Sequence, residues 1–365
     1  MKYTSNLHYL IFCVLIFLSS RFLFFSLYLM LNHFIIFFHN INFITLMCQA
    51  DCFWYKSIVV NGYDKLTIIP YKTYPSNYYS NVVFFPLFPL IIKSLSFLTK
   101  DILLIGFILN NLLIFSSLIL FYKYLINHFN DTIARFGVIL IAFSPANIYF
   151  LSFYTEPLFL FLCLCSFLLL FNNKFFYTSL SGGLLSATRP SGVLFIIPFF
   201  YYYFIKNKFS WSNLLKFIFL SLLSCCGILF FITYLYFHDY DFLAFVHRQY
   251  AWGRHWIGNG SFYHNMYFAI TKNPIDFIWF IISFISSIVL FKNKFIIESI
   301  FNFLLVLPNF FSSSFISTSR FVLSSFCFYL TLVILSKSSR FFRFLFLCIF
   351  IILYCNYFMQ WLLHI

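Results

Sequence analysis

Residues 102–122 read ILLIGFILNNLLIFSSLILFY, between Asp101 and Lys123. No charge interrupts the run, and a helix over it, at about 1.5 Å per residue, matches the roughly 30 Å hydrocarbon core of a bilayer. Working outward, comparable apolar runs cover 133–152, 155–171, 213–236, 275–291, 295–312, 320–336 and 341–363. A longer one, about 8–38, opens the chain and contains Arg21. Two shorter runs, 175–188 and 191–205, meet at Thr188-Arg189-Pro190-Ser191-Gly192. Runs of this length and purity predict transmembrane helices. The pattern predicts an all-α polytopic membrane protein with about 11 transmembrane helices, organised as one domain over 1–365. Two polar stretches interrupt it: 39–100, which ends in a Pro-rich amphipathic segment, and 237–273.

Composition excludes the soluble classes. Hydrophobic residues make up 62% of the chain, charged residues 9%, and the mean hydropathy is +0.92. A soluble domain carries about a quarter charged residues. Sixty-one Phe suit lipid-facing positions, which tolerate Phe as well as Leu. The formal net charge of +14 does not point to nucleic acid, because the cations fall in short clusters between apolar runs and form no basic stripe. The N-terminal run exceeds the about 7–15 apolar residues of a signal-peptide core and is expected to remain as an anchor.

The cations also give an orientation. With the N-terminus inside and each run crossing once, Lys2, Lys123, Arg135, Lys174, Lys206, Lys208, Lys216, Lys292, Lys294, Lys337, Arg340 and Arg343 fall inside, with Asp131 and Glu298. The other seven acids, Asp51, Asp64, Asp101, Glu156, Asp239, Asp241 and Asp276, fall outside. This is the positive-inside pattern, and it predicts a cytoplasmic N-terminus and an extracytoplasmic or lumenal site. Lys174 and Lys206 bracket 175–206, so that segment crosses twice or re-enters, turning at Arg189. Irregular backbone at depth lines a cavity or lies buried in protein, which places Arg189 in a cavity open to the outside.

Outside Arg residues run against the charge bias and invite a functional reading. Arg189 either serves a ligand or pairs with an acid such as Glu156. Glu156, before Pro157, also suits a helix N-terminus. The second loop reads His247-Arg248-Gln249-Tyr250-Ala251-Trp252-Gly253-Arg254-His255-Trp256; its cations between aromatics fit either phosphate recognition with stacking or a grip on lipid headgroups. Arg320 opens a span end, where it either snorkels or meets a ligand, and Arg21 is expected to snorkel to the inner surface. Eight Cys lie within apolar runs, while Cys48 and Cys52 flank Asp51 at i, i+4. Neither a disulfide framework nor a metal or redox role is expected of them, and no His-x-x-x-His pattern or other cofactor signal occurs. Gly182-Gly183 suits close helix packing.

An outside carboxylate, Asp51, together with Arg residues fit for phosphate, matches sugar transfer from a polyprenyl phosphate to a hydroxyl. Phosphate is a good leaving group, so a single general base suffices where glycoside hydrolysis needs two carboxylates.

The motifs resemble those of a known family. Asp51-Cys52-Phe53-Trp54-Tyr55 with Asn61-Gly62-Tyr63 resembles the Trp-Asp…Trp-Tyr…Gly-Tyr opening of the PIG-V-like mannosyltransferases, with Ala50 where the family has Trp. Phe84-Phe85-Pro86-Leu87-Phe88-Pro89-Leu90, Ser144-Pro145-Ala146 with Phe153-Tyr154-Thr155-Glu156-Pro157-Leu158, and Ala187-Thr188-Arg189-Pro190-Ser191-Gly192-Val193 are similar to its later segments, in order. Ala251-Trp252-Gly253-Arg254 and Ser319-Arg320-Phe321 resemble its bacterial branch better than its eukaryotic one. The resemblance implies a GT-C bundle with a large first extracytoplasmic loop. It implies an inverting hexosyltransferase using dolichyl- or polyprenyl-phosphate mannose, with a lipid-linked or glycan acceptor. Eukaryotic members add the second mannose of the GPI precursor. The implied catalytic residue is Asp51, with substrate or donor phosphate bound by Tyr63, Glu156, Arg189, Arg248, Gln249, Trp252, Arg254 and Arg320. No cofactor, metal or nucleic acid is implied. The implied membrane is the bacterial plasma membrane, or the endoplasmic reticulum for a eukaryotic member. A secondary transporter or lipid flippase is the alternative; it would show repeated halves around a midplane site.

Overall fold

The computed structural model describes residues 6–34, 42–65, 79–254, 266–267, 270–311 and 314–363, and every regular element among them is helical. Lys2, Lys72 and the His255-Trp256 end of the second loop lie outside the described residues. In chain order the helices are α1 (Asn6–Phe34), α2 (Phe43–Leu46), α3 (Asp51–Asn61), α4 (Leu87–Leu95) and α5 (Ile102–Ile126). Then follow α6 (Asp131–Ala142), α7 (Asn147–Leu151), α8 (Glu156–Phe171), α9 (Phe175–Thr188), α10 (Ile196–Asn207), α11 (Trp211–Asp239) and α12 (Ala244–His247). The chain ends with α13 (Pro274–Lys292), α14 (Ile296–Phe311), α15 (Thr318–Leu323), α16 (Phe326–Ser336) and α17 (Arg340–Leu363).

Among the described residues, five helices are long and apolar enough to cross a membrane: Leu7–Met30, Ile102–Ile126, Trp211–Asp239, Pro274–Lys292 and Arg340–Trp361. Three shorter apolar helices, α8, α14 and α16, stand with them. Position explains the difference. α8 and α16 are buried nearly all round, the pattern of a helix at the centre of a bundle. The long helices turn large apolar side chains outward, such as Phe230 at 75% exposure and Ile352 at 68%. Burying such a side chain is worth about 1.5–3 kcal/mol in water, so a surface built of them belongs in lipid.

Two of the expected continuous spans are broken. The run 133–152 divides into α6 and α7 at Ser144-Pro145, because Pro145 lacks the N–H that would continue the ladder, and Ser144 Oγ accepts from Ala146 N instead. The run 320–336 divides into α15 and α16, where the Ser325 side chain caps α16 by accepting from Cys327 N. The break at Arg189 falls where the sequence predicts it. Pro190 pushes Arg189 into an extended conformation (φ −155°, ψ 150°), and a 3₁₀ turn, Pro190–Phe195, leads into α10.

α9 packs against α11 through glycines. A Cβ on Gly227 would lie 2.2 Å from the Gly183 carbonyl oxygen, so only glycine allows this approach. Arg21 does not snorkel. Its Nε donates to Asn111 of α5 and its Nη1 to Asn147 of α7, each at 2.7 Å, so it ties three helices together from mid-α1. A charge in apolar surroundings is held by the polar groups it can reach.

The bundle has two distinct ends. At one, the turns after α5, α8 and α13 meet: Tyr124 donates to Glu298, His128 packs on Phe295, and Tyr202 reaches Asn173. Lys123, Lys174, Lys206 and Lys292 lie at this end. Asp51, Tyr154, Arg189 and Arg320 lie at the other.

Candidate functional site

Asp51 is the first residue of α3, and the turn before it is unusual. Ala50 has φ 46°, a left-handed conformation that a non-glycine residue adopts at a cost. The turn is held covalently by a Cys48–Cys52 disulfide, which corrects the expectation that the cysteines form no disulfide framework to the extent of this one bond. Spacing of i, i+4 at a helix start suits two free side chains equally well, and the left-handed Ala50 that brings the two sulfurs together has no sequence signature. Tyr154 completes the support, accepting from Asp51 N at 3.2 Å and donating to Gln49 O at 3.0 Å.

Charged side chains from four parts of the chain converge on Asp51. Arg320 Nη1 donates to Asp51 Oδ2 at 2.7 Å. Its Nε and Nη2 both donate to Glu156 Oε1, at 2.8 and 2.7 Å. Arg189 Nη2 reaches the same Oε1 at 2.7 Å. Glu156 is fully buried at the N-terminus of α8, where the helix dipole favours a carboxylate. Its Oε2 is buried with no hydrogen-bond partner among the described residues. Arg189 also donates through Nε to Thr155 Oγ1 at 2.9 Å, and Tyr55 meets that hydroxyl at 3.3 Å. The rings of Tyr154 and Tyr149 lie 4.6 and 5.3 Å from the Arg320 guanidinium. Arg189 is thus ion-paired with Glu156, and Arg320 is bonded to two carboxylates and does not snorkel.

The second loop adds a third cation. Arg254 donates to Gln249 Oε1 at 2.8 Å and to Ile316 O at 3.3 Å, and its guanidinium lies 5.8 Å from the Phe321 ring, next to Arg320. Both bonds are to neutral oxygens. Burial draws Arg254 down to about 10, with Asp51 pulling it back up and Arg320 pushing it further down. It remains cationic at neutral pH. The guanidiniums of Arg189, Arg254 and Arg320 gather around the carboxylates of Asp51 and Glu156, with Asp276 also acting on Arg254, and three guanidiniums so placed suit an anionic group.

An aromatic wall flanks the cluster. Trp252 packs on Trp54 (ring centroids 5.6 Å apart), Tyr79 (4.9 Å) and Phe84 (5.8 Å), and Trp54 stands one turn after Asp51 on α3. Trp252 Nε1 is buried with no partner among the described residues. Arg248 shares the 3₁₀ turn Arg248–Trp252 and is only 3% exposed. Tyr63 supports the wall through Phe84. Its hydroxyl donates to Phe84 O at 2.8 Å, and its ring packs on Phe231 and Tyr234.

The structure therefore brings Asp51, Glu156, Arg189, Arg254 and Arg320 together, with Gln249 and Trp252 beside them. Sequence reasoning missed Tyr154, Thr155, Tyr55, Gln49 and Ser324. The first two adjoin Glu156 in a quoted motif; Ser324, 3.4 Å from Arg189 Nη1, carries no signal of its own. No protein-family model, curated protein or solved structure matches the chain.

Proposed function

We propose that this chain is a membrane mannosyltransferase of the PIG-V-like, GT-C type, moving a mannosyl group from polyprenyl- or dolichyl-phosphate to a hydroxyl of a lipid-linked or glycan acceptor. The observation that carries the proposal is the bond from Arg320 to Asp51 across 269 residues of sequence, with Glu156, Arg189 and Arg254 around it. One carboxylate is partly exposed, while the other is buried and fixes two guanidiniums. This is a division of labour between a base and a preorganised anion site.

In the reaction, Asp51 accepts the proton of the acceptor hydroxyl, whose oxygen attacks the anomeric carbon. The bond from that carbon to the phosphate oxygen breaks, and phosphate leaves with the electron pair. Inversion follows from a single displacement. Arg254 and Arg320 stabilise the departing charge, and the wall of Trp54, Tyr79, Phe84 and Trp252 offers flat faces to a sugar ring.

The orientation belongs to the same proposal. Lys-rich turns at the far end suit the cytoplasmic side. A disulfide beside Asp51 suits an oxidising compartment: outside the bacterial plasma membrane, or in the lumen of the endoplasmic reticulum. The remaining members of the expected set of about 11 spans are assigned to the shorter helices, of which α8 and α16 are shielded by their neighbours.

The experiment is Asp51→Asn. Expression and membrane insertion persist, while mannose transfer in membranes supplied with polyprenyl-phosphate mannose falls to background. Transfer near the unsubstituted rate removes Asp51 from the role of base.

A further inference from the structure

Asp51 is engaged by Arg320 through one of its two carboxylate oxygens. Its Oδ2 holds Nη1 of Arg320 at 2.7 Å, and the other two donor nitrogens of Arg320 are bound to Glu156. Nη1 is therefore the one part of Arg320 whose partner can change without disturbing a fully buried carboxylate. Asp51 and Arg320 remain partly exposed, with side chains 21% and 12% accessible, while Glu156 is sealed. Arg254 lies beside them, a third guanidinium whose hydrogen bonds go to the neutral oxygens of Gln249 and Ile316. A phosphate entering between Arg254 and Arg320 competes with Asp51 for the same nitrogen, and guanidinium binds phosphate oxygens at least as well as carboxylate.

We propose that the Arg320–Asp51 ion pair is a ligand-operated gate on the base: a phosphate group takes Nη1 of Arg320, and Asp51 is released to accept a hydroxyl proton. The gate rests on the transfer reading for its purpose, and it makes the order of events explicit. The phosphate-bearing substrate binds first, and only then does Asp51 become a competent base. The device prevents Asp51 from activating a hydroxyl, water included, when no donor is present.

The test is binding of decyl phosphate to the full chain in lipid nanodiscs, followed by quenching of tryptophan fluorescence. Asp51→Asn removes the competitor while Glu156 still anchors Arg320, and its affinity for decyl phosphate rises about tenfold, the scale of one charge-assisted hydrogen bond. Arg320→Lys, which cannot reach both carboxylates and the ligand, lowers affinity by about the same factor. Asp276→Asn removes an equal charge near Arg254 without touching Arg320, and its affinity stays within about threefold of the unsubstituted chain's. Unchanged or weaker binding by Asp51→Asn overturns the gate, as does equal tightening by both Asn variants or binding by none of the proteins. The binding pattern without mannose transfer leaves the gate standing and removes the transferase reading. Mannose transfer without the pattern does the reverse.

Discussion

Glu156→Gln isolates the strongest physical claim about the site. Glu156 Oε1 accepts from three guanidinium nitrogens, two of Arg320 and one of Arg189, and the residue has no exposure. Removing one partner from a buried ion pair costs about 3–5 kcal/mol, because the charge left behind is uncompensated. Two features place this substitution near the lower end. The amide oxygen still accepts a hydrogen bond, and Arg320 keeps Asp51 as counter-ion. Arg189 has no such second acid among its hydrogen-bond partners in the described residues, only the hydroxyls of Thr155 and Ser324. The expected loss is therefore about 3 kcal/mol. It is measured by reversible SDS unfolding in mixed micelles, followed by tryptophan fluorescence. The double variant Glu156→Gln/Arg189→Gln should recover part of the loss, since it removes the stranded cation along with its partner. A Glu156→Gln protein within about 0.5 kcal/mol of the unsubstituted chain, with no coupling to Arg189, would refute the claim.

Three further outcomes follow. The Cys48–Cys52 bond leaves eight free cysteines of ten, so thiol titration of the unreduced, denatured chain should find eight groups, and ten would deny the disulfide. Gly227→Ala drives a Cβ into the Gly183 carbonyl and should cost about 1–3 kcal/mol in the same unfolding assay, against no change if α9 and α11 can separate freely. Arg21→Leu strands the side-chain oxygens of Asn111 and Asn147 and should cost about 1–3 kcal/mol, whereas a merely snorkelling arginine would lose nothing measurable.

The parts of this molecule legible in its sequence are those set by local composition. Apolar runs locate the helices, and Pro190 locates the break after α9, because hydropathy and proline act on neighbouring residues. Pro145 carries the same signal as Pro190, but the apolar run continues on both sides of it and reads as one span. The break at Ser324-Ser325 has no such signal, since a small polar side chain capping its own backbone looks no different from one packed in a span. Which outside arginine meets which acid depends on contacts between residues 33 to 269 positions apart, and no periodicity encodes that. Arg189 and Arg320 could be singled out as charges in unfavourable places, and Glu156 named as an acid for Arg189, but that Arg320 shares Glu156 and holds Asp51 emerges only when α3, α8 and α15 meet. Tyr63 lies in a motif near Asp51, and its hydroxyl donates to the carbonyl of Phe84 in the aromatic wall, a contact no sequence pattern announces.

The central proposal is chemical, and one reconstitution tests it most directly. Purified chain in liposomes, given polyprenyl-phosphate mannose and a total lipid extract as acceptor, is assayed for labelled mannose in product and for polyprenyl phosphate released. The account predicts that both appear in equal amounts and that both vanish with Asp51→Asn. Absence of transfer by the unsubstituted chain, or equal product from the Asn variant, would contradict it.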